Sequence, residues 1–219
     1  MKIHRAGIIP ILFLLAGVLL ILVVVNHFFP DQTKLHYLLY TAGTVFMFLV
    51  VRFFRYPGRI TDAVDNGVYS GADGEVVAIE KVHVDEYFND ERLQVSVFMS
   101  IFDVHINWSP CMGRVVYREH HKGRHLVAFN PKSSLINEHT TLVIRDETGR
   151  EVMMRQIAGA VARRIICKPG VGKNLASGEM IGMIKFGSRV DLLLPPDAEV
   201  KVELGDRARG AETLMAILK

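Results

Sequence analysis

The sequence predicts a mainly β protein preceded by an N-terminal hydrophobic helical hairpin. Two observations carry that expectation. No charged residue occurs from Gly7 to Pro30, and Ile8 to Val25 is almost wholly aliphatic. After Pro57-Gly58 the texture changes to short strand-like runs punctuated by Gly, Asn, Asp and Pro. A chain of 219 residues with a mean hydropathy of +0.24 has room for one globular domain and an apolar appendage. The expected division is 1–59 as a membrane-anchoring hairpin and 60–219 as a β-rich domain.

The first apolar run is long enough to span a hydrocarbon core. A second runs from Tyr37 to Val51, softened by Gly43 and Thr44 and extended by Phe53 and Phe54. Lys2 and Arg5 also fit the basic start of a signal peptide. Against that, the run is long, no small-residue cleavage site follows, and a second span comes soon after. Lys2 and Arg5 precede the first span and Arg52, Arg55 and Arg59 follow the second, whereas the loop from Asn26 to His36 holds only Lys34 and Asp31. The positive-inside rule then puts both ends, and the C-terminal domain, on the cytoplasmic side of the cell (inner) membrane.

Charge divides with the domains. Residues 1–59 carry six Lys/Arg and one Asp, net +5, and the remainder carries twenty basic and twenty-two acidic residues, net −2. The basic excess belongs to the membrane flank, where it favours an anionic lipid surface. No basic stripe with interleaved aromatics marks a nucleic-acid partner. Cys111 and Cys167 make no disulfide framework and fit a reducing compartment. The trio His120, His121 and His125 lies in a Lys/Arg-rich stretch and reads as a solvated hairpin end, so no metal is expected.

Strands are expected over Gly74–Ile79, Leu93–Phe98, Arg114–Tyr117, His125–Phe129 and Thr140–Ile144. A hairpin turn at Asp146-Glu147-Thr148-Gly149 leads into Arg150–Met154. Gln156–Ile166 mixes small and β-branched residues and reads as strand or short helix. Val190–Leu194 is strand-like. A weak internal repeat relates 171–184 to 204–217, each with a Gly-(Lys/Asp)-x4-(Gly/Ala) turn, a Glu and an apolar strand. That pattern, with the Pro-x-x-Gly-x-Val entry at Pro110–Val115, is familiar from lipoyl/biotinyl-type barrel-sandwich domains, and a barrel-sandwich is the expected architecture of 60–219.

Candidate chemistry centres on Gly187-Ser188, in Lys185-Phe186-Gly187-Ser188-Arg189-Val190-Asp191. Glycine permits a strained backbone and leaves its carbonyl open to approach, and the adjacent serine is a nucleophile. Ser100–Asn107 alternates in a strand-like way, which puts Asp103, His105 and Asn107 on one face. A polar face on an apolar strand is costly unless it lines a site or water. Ala72-Asp73-Gly74 and Asn137-Glu138-His139 each precede a strand.

In order and spacing, five blocks resemble the phosphatidylserine decarboxylase proenzyme family in its short, membrane-associated form. They are Ala-Asp-Gly at 72–74, Asp-Val-His-Ile-Asn at 103–107, Pro-Cys-Met-Gly at 110–113, Asn-Glu-His at 137–139, and Gly-Glu-Met-Ile-Gly-Met-Ile-Lys-Phe-Gly-Ser-Arg-Val at 178–190. The resemblance implies self-cleavage between Gly187 and Ser188 into chains 1–187 and 188–219, which stay together as a heterodimer with room for a higher oligomer. Ser188 becomes a covalent pyruvoyl group, the one cofactor. It forms a Schiff base with phosphatidylserine and releases CO2 and phosphatidylethanolamine. Asp73 and Ser188 match a relay used by longer members. Those members have a second histidine shortly after the one matching His105; here the stretch reads Ile106-Asn107-Trp108-Ser109. The base therefore falls to His105, with His139 as second candidate. Two alternatives stay open: a decarboxylase of a related serine phospholipid such as archaetidylserine, and a non-enzymatic biotinyl/lipoyl-like adaptor.

Overall fold

The computed structural model describes residues 2–62, 64–123, 136–159, 164–185 and 187–219. The strand expected over His125–Phe129 lies outside them, as do Phe186 and part of Gln156–Ile166. The chain divides into two compact units, Met1–Gly58 and Arg59–Lys219.

In the first unit a short strand β1 (Lys2–Ile3) precedes α1 (Arg5–Phe28) and α2 (Lys34–Phe53), and β2 (Arg55–Tyr56) pairs back with β1. At 1.5 Å per residue, the helices of 24 and 20 residues are about 36 and 30 Å long, so each is long and apolar enough to cross a hydrocarbon core. His4 Nδ1 accepts the Ala6 amide at the start of α1, and His36 Nδ1 accepts the Thr33 amide at the start of α2. Polar groups within the hairpin are matched: Tyr40 donates to Asn26 Oδ1 at 2.9 Å, and Asn26 donates to the Leu22 carbonyl at 2.7 Å.

The second unit is built from strands. In chain order the described ones are β3 (Gly67–Tyr69), β4 (Gly74–Val84), β5 (Asp90–Met99), β6 (Ile106–Trp108), β7 (Gly113–His121), β8 (His139–Arg145), β9 (Glu151–Ala158), β10 (Ile165–Cys167), β11 (Asn174–Leu175), β12 (Met180–Ile184), β13 (Ser188–Leu194), β14 (Glu199–Val200), β15 (Arg207–Ala208) and β16 (Leu214–Ile217). Eight of them form one curled sheet in the order β11-β7-β8-β9-β13-β5-β4-β15, flanked by the sheets β10-β12-β6 and β14-β16-β3. The architecture is mainly β, as expected. Gln156–Ala158 continues β9 and Ile165–Cys167 is strand. The 146–149 turn is closed by the Asp146 amide on the Arg150 carbonyl, while Asp146 Oδ1 accepts the Thr148 amide.

The weak repeat is a duplicated geometry, wider than the sequence suggests. Gly172 and Gly205 share φ 90°, and Gly178 (φ 71°) is matched by Ala211 (φ 64°). Leu175 pairs with Gly113 as Ala208 pairs with Gly74. The Val115 amide donates to the Lys173 carbonyl as the Val76 amide donates to that of Asp206. Ser109 Oγ donates to the Cys111 carbonyl and Ser70 Oγ to that of Ala72. The two copies clasp reciprocally, with the Tyr69 amide on the Pro110 carbonyl and the Trp108 amide on the Gly71 carbonyl. Ser70–Val76 and Ser109–Val115 are thus equivalent segments, which puts Asp73 at the position of Met112.

The curled sheet has two differently filled faces. Antiparallel partners share a face, so Ser188, Val190, Leu192 and Leu194 of β13 pack with Ala158 and Met154 of β9 and Met99, Val97 and Val95 of β5 into the main apolar core. The alternate residues Arg189, Asp191 and Leu193 face the other way. There Leu193, Val143, Met153 and Val84 form a smaller apolar cluster. Arg189 and Asp191 form a bidentate pair at 2.8 and 3.1 Å, with side chains 2% and 0% exposed. Truncating one partner of a buried ion pair costs about 3–5 kcal/mol. Asp191→Ala is therefore expected to lower unfolding free energy by about that amount, read by urea denaturation. A loss under about 1 kcal/mol would show that the pair does not stabilise this strand.

Candidate active site

Gly187 precedes β13 at φ +57°, a left-handed conformation that costs other L-residues roughly 1–2 kcal/mol. Ser188 opens the strand and is fully buried, between Met99 of β5 and Ala158 of β9. Its Oγ has one hydrogen-bond partner among the described residues, Met99 Sδ at 3.2 Å, and a thioether is a weak acceptor. The hydroxyl is thus shielded from bulk water without being tied to a strong acceptor.

The same sulfur lies 3.8 Å from Asn107 Nδ2 of β6. Asn107 Oδ1 accepts Gln156 Nε2 at 2.8 Å, and Nδ2 also reaches the Gly71 carbonyl at 3.4 Å. Gln156 is buried on the core-facing side of β9, and sequence reasoning did not single it out. Its position two residues before Ala158, inside an apolar run, was the available signal.

His105 immediately precedes β6, and its carbonyl accepts the Ile184 amide at 3.2 Å. Its backbone therefore sits beside the end of β12, the strand that leads into Gly187-Ser188. The ring is fully buried. Nδ1 lies 3.0 Å from the Asp103 carbonyl, an acceptor only, so Nδ1 carries the proton and Nε2 the lone pair. The orienting group is the Asp103 backbone rather than its carboxylate. That carboxylate caps the turn, taking the Ser100 amide and hydroxyl at 2.9 and 2.7 Å, and pairs with Arg207 at 2.8 Å.

Asp73 stands apart from this group. It precedes β4, which is separated from β13 by β5. Its carboxylate is held bidentately by Arg59 and accepts the Gly210 amide at 2.8 Å; His105 is not among its partners. Arg59 in turn stacks on Trp108, 4.6 Å from the ring centroid. Asp73 therefore reaches the Ser188 side of the domain through Arg59 and the β6 strand. His139 is also separated from Ser188. It shares a row with Ile157 and Arg189, the residues that face away from Ser188, and its Nδ1 donates to the Asn137 carbonyl at 2.7 Å.

Neither thiol is a rival nucleophile. Burial pushes the Cys111 thiol up to about 12 and the Cys167 thiol to about 11, so both are protonated near neutrality. A cavity of about 630 Å³, lined by Tyr69, Cys111, Met112, Asp146, Arg150 and Ser177 among others, contains none of the Ser188 group. Lys185, two residues before Gly187, has its pKa drawn below the ordinary lysine value by burial first and by the neighbouring charge of Arg164 second. Lys185, just before the Gly-Ser bond in the chain, and Arg164 are thus close neighbours.

Known proteins resemble this chain over most or all of its length. The family model for phosphatidylserine decarboxylase matches residues 46–216. A phosphatidylserine decarboxylase proenzyme of Cytophaga hutchinsonii is 41% identical over 216 residues, covering 99% of this chain and 98% of the relative. The proenzyme of Phocaeicola vulgatus is 42% identical over 220 residues, covering 100% and 96%. That of Amoebophilus asiaticus is 46% identical over 175 residues, covering 80% and 78%. A full-length likeness of this degree, with a buried Ser188 behind a left-handed Gly187, leaves one conclusion: the chain belongs to the phosphatidylserine decarboxylase family.

Proposed function

We propose that the chain is a proenzyme that cleaves itself between Gly187 and Ser188, and that the mature enzyme converts phosphatidylserine to phosphatidylethanolamine and CO2. The observation that carries this reading is the left-handed Gly187 joined to a buried Ser188 whose hydroxyl rests on a thioether. Ser188 Oγ attacks the Gly187 carbonyl, the acyl group moves from nitrogen to oxygen, and β-elimination releases 1–187 with a carboxylate on Gly187 from 188–219, whose terminal dehydroalanine takes up water and loses ammonia to become a pyruvoyl group. The pyruvoyl group left at 188 supplies a carbonyl that condenses with an amine and withdraws electrons as CO2 departs. The residues around Ser188 fit such a group: the apolar wall of Met99 and Ala158 excludes water, and the site stays packed on both sides by strands.

His105 Nε2, the ring nitrogen with the lone pair, takes the Ser188 proton during cleavage and returns a proton to the substrate carbon that loses CO2. Asn107, fixed by Gln156, keeps an amide donor on the same wall. Asp73 acts as a positioning residue, anchoring Arg59 over Trp108 and so holding β6. The field of Lys185 and Arg164 suits a headgroup that carries a phosphodiester and a carboxylate. The hairpin of α1 and α2 anchors the chain in the cell (inner) membrane with the catalytic domain on its cytoplasmic face, so that the acyl chains stay in the bilayer while the headgroup enters the site. The two cleavage products remain together as a heterodimer.

Purified full-length protein in mixed micelles with phosphatidylserine is expected to release CO2 and accumulate phosphatidylethanolamine. Cleaved protein that leaves phosphatidylserine unchanged would reject the substrate while leaving the cleavage intact.

A further inference from the structure

The loop joining β4 and β5 carries Glu86 onto the sheet face that points away from Ser188. It meets His121, the last residue of β7, and His139, the first of β8, which are direct cross-strand partners. Their rings stack with centroids 4.5 Å apart and planes at 22°. Glu86, His121 and His139 each offer a ligand atom, and these atoms all lie within 4.8 Å of one another.

Three features prepare this group for a cation. His139 donates its Nδ1 proton to the Asn137 carbonyl at 2.7 Å, which leaves the lone pair on Nε2. Such an outer hydrogen bond fixes the tautomer of metal-bound histidines. The Glu86 oxygens have separate duties. Oε2 is held by Arg155 at 2.8 Å and Thr141 at 3.0 Å, while Oε1 faces His121 Nε2 at 2.8 Å and accepts the Tyr117 hydroxyl at 3.4 Å. That division orients a monodentate carboxylate. Finally, a cavity of about 340 Å³ is lined by Glu86, His121 and His139, together with Glu80, Asp85 and Gln94. It leaves room for a water as a fourth ligand; Arg155, which also lines it, has its charge met by Glu86 Oε2 at 2.8 Å.

We propose that Glu86, His121 and His139 form a zinc site that pins the β4–β5 loop to the edge of β7 and β8. Two imidazoles and one carboxylate are a donor set that zinc accepts with a position left for water. The ion replaces the hydrogen bond between His121 and Glu86, and the His121 ring proton moves to Nδ1. The site lies on the face opposite Ser188 and acts on stability rather than on decarboxylation. It departs from the expectation that His121 is a solvated hairpin residue. Its neighbour His120 keeps that description: its side chain is 45% exposed and lies 2.9 Å from Thr140 Oγ1.

The test uses full-length, tag-free protein in detergent, stripped with a chelator and dialysed against micromolar zinc chloride. Mass spectrometry of the metal content is expected to find about one zinc per chain, together with a raised thermal midpoint. His121→Ala and His139→Ala should each bind zinc at least about tenfold more weakly and lose the thermal rise, while His120→Ala should behave as wild type. Glu86→Gln keeps the side-chain shape and should also lose affinity, which covers the case in which a histidine variant fails to fold. Wild-type protein with no zinc above the buffer level would overturn the proposal, as would Glu86→Gln or His121→Ala retaining wild-type affinity.

Discussion

Ser188→Ala is expected to accumulate as one uncleaved chain and to release no CO2 from phosphatidylserine. The hydroxyl oxygen is the only heavy atom removed, and both proposed reactions depend on it: it attacks Gly187, and its elimination is what lets the Ser188 Cα become the carbonyl that withdraws electrons from the substrate. Loss of a covalent nucleophile removes at least about 10³-fold in rate. The fold should persist. The substitution deletes a single contact to Met99 Sδ, and a weak hydrogen bond of that kind contributes at most about 1 kcal/mol. Gel analysis of the purified variant beside wild type reads the cleavage, and CO2 release reads the second reaction. Cleavage at 187/188 in this variant would mean that another group attacks the bond.

His105→Asn is expected to lower decarboxylation by about 10²–10⁴-fold, the usual contribution of a positioned acid or base. Asparagine can keep a donor toward the Asp103 carbonyl, as Nδ1 does now at 3.0 Å, while the Nε2 position is deleted. The variant therefore separates the proton-transfer role from packing, which His105→Ala would confound by leaving a void. Turnover should be measured per cleaved chain, because His105 is proposed to serve both steps. A variant that cleaves slowly and also turns over slowly fits a shared base. Wild-type turnover would remove His105 from the mechanism.

The helical hairpin and most strands were legible because each obeys one local rule. A charge-free run marks α1, and alternation bounded by turn residues marks β4, β5, β7, β8 and β13. The duplicated geometry was half legible. The copies at 171–184 and 204–217 retain similar residues, whereas Ser70–Val76 and Ser109–Val115 share backbone bonds and a serine but differ at Ala72-Asp73 against Cys111-Met112. Asp73 was singled out by its match to the relay of longer family members, and the structure pairs its carboxylate with Arg59. The polar second face was not legible. Nothing in the residue pattern of β13 marks Arg189 and Asp191 as a buried pair, and Glu86 meets Arg155 across 69 residues of chain. Curling of the sheet buries these charges, and sequence periodicity carries no information about curl. His105 and Asn107 were singled out as sharing a strand face over Ser100–Asn107 with Asp103, but only Ile106–Trp108 is strand and Asp103 lies in the turn before it. Gln156 and Met99 were not singled out, because their contacts arise where two sheets meet.

The most direct test of the account is the intact mass of the purified wild-type protein. Self-cleavage predicts two chains, residues 1–187 ending in Gly187 and residues 188–219 with a pyruvoyl group in place of Ser188, and no free amine on the smaller chain. A single chain of 219 residues in a preparation that nonetheless decarboxylates phosphatidylserine would contradict it.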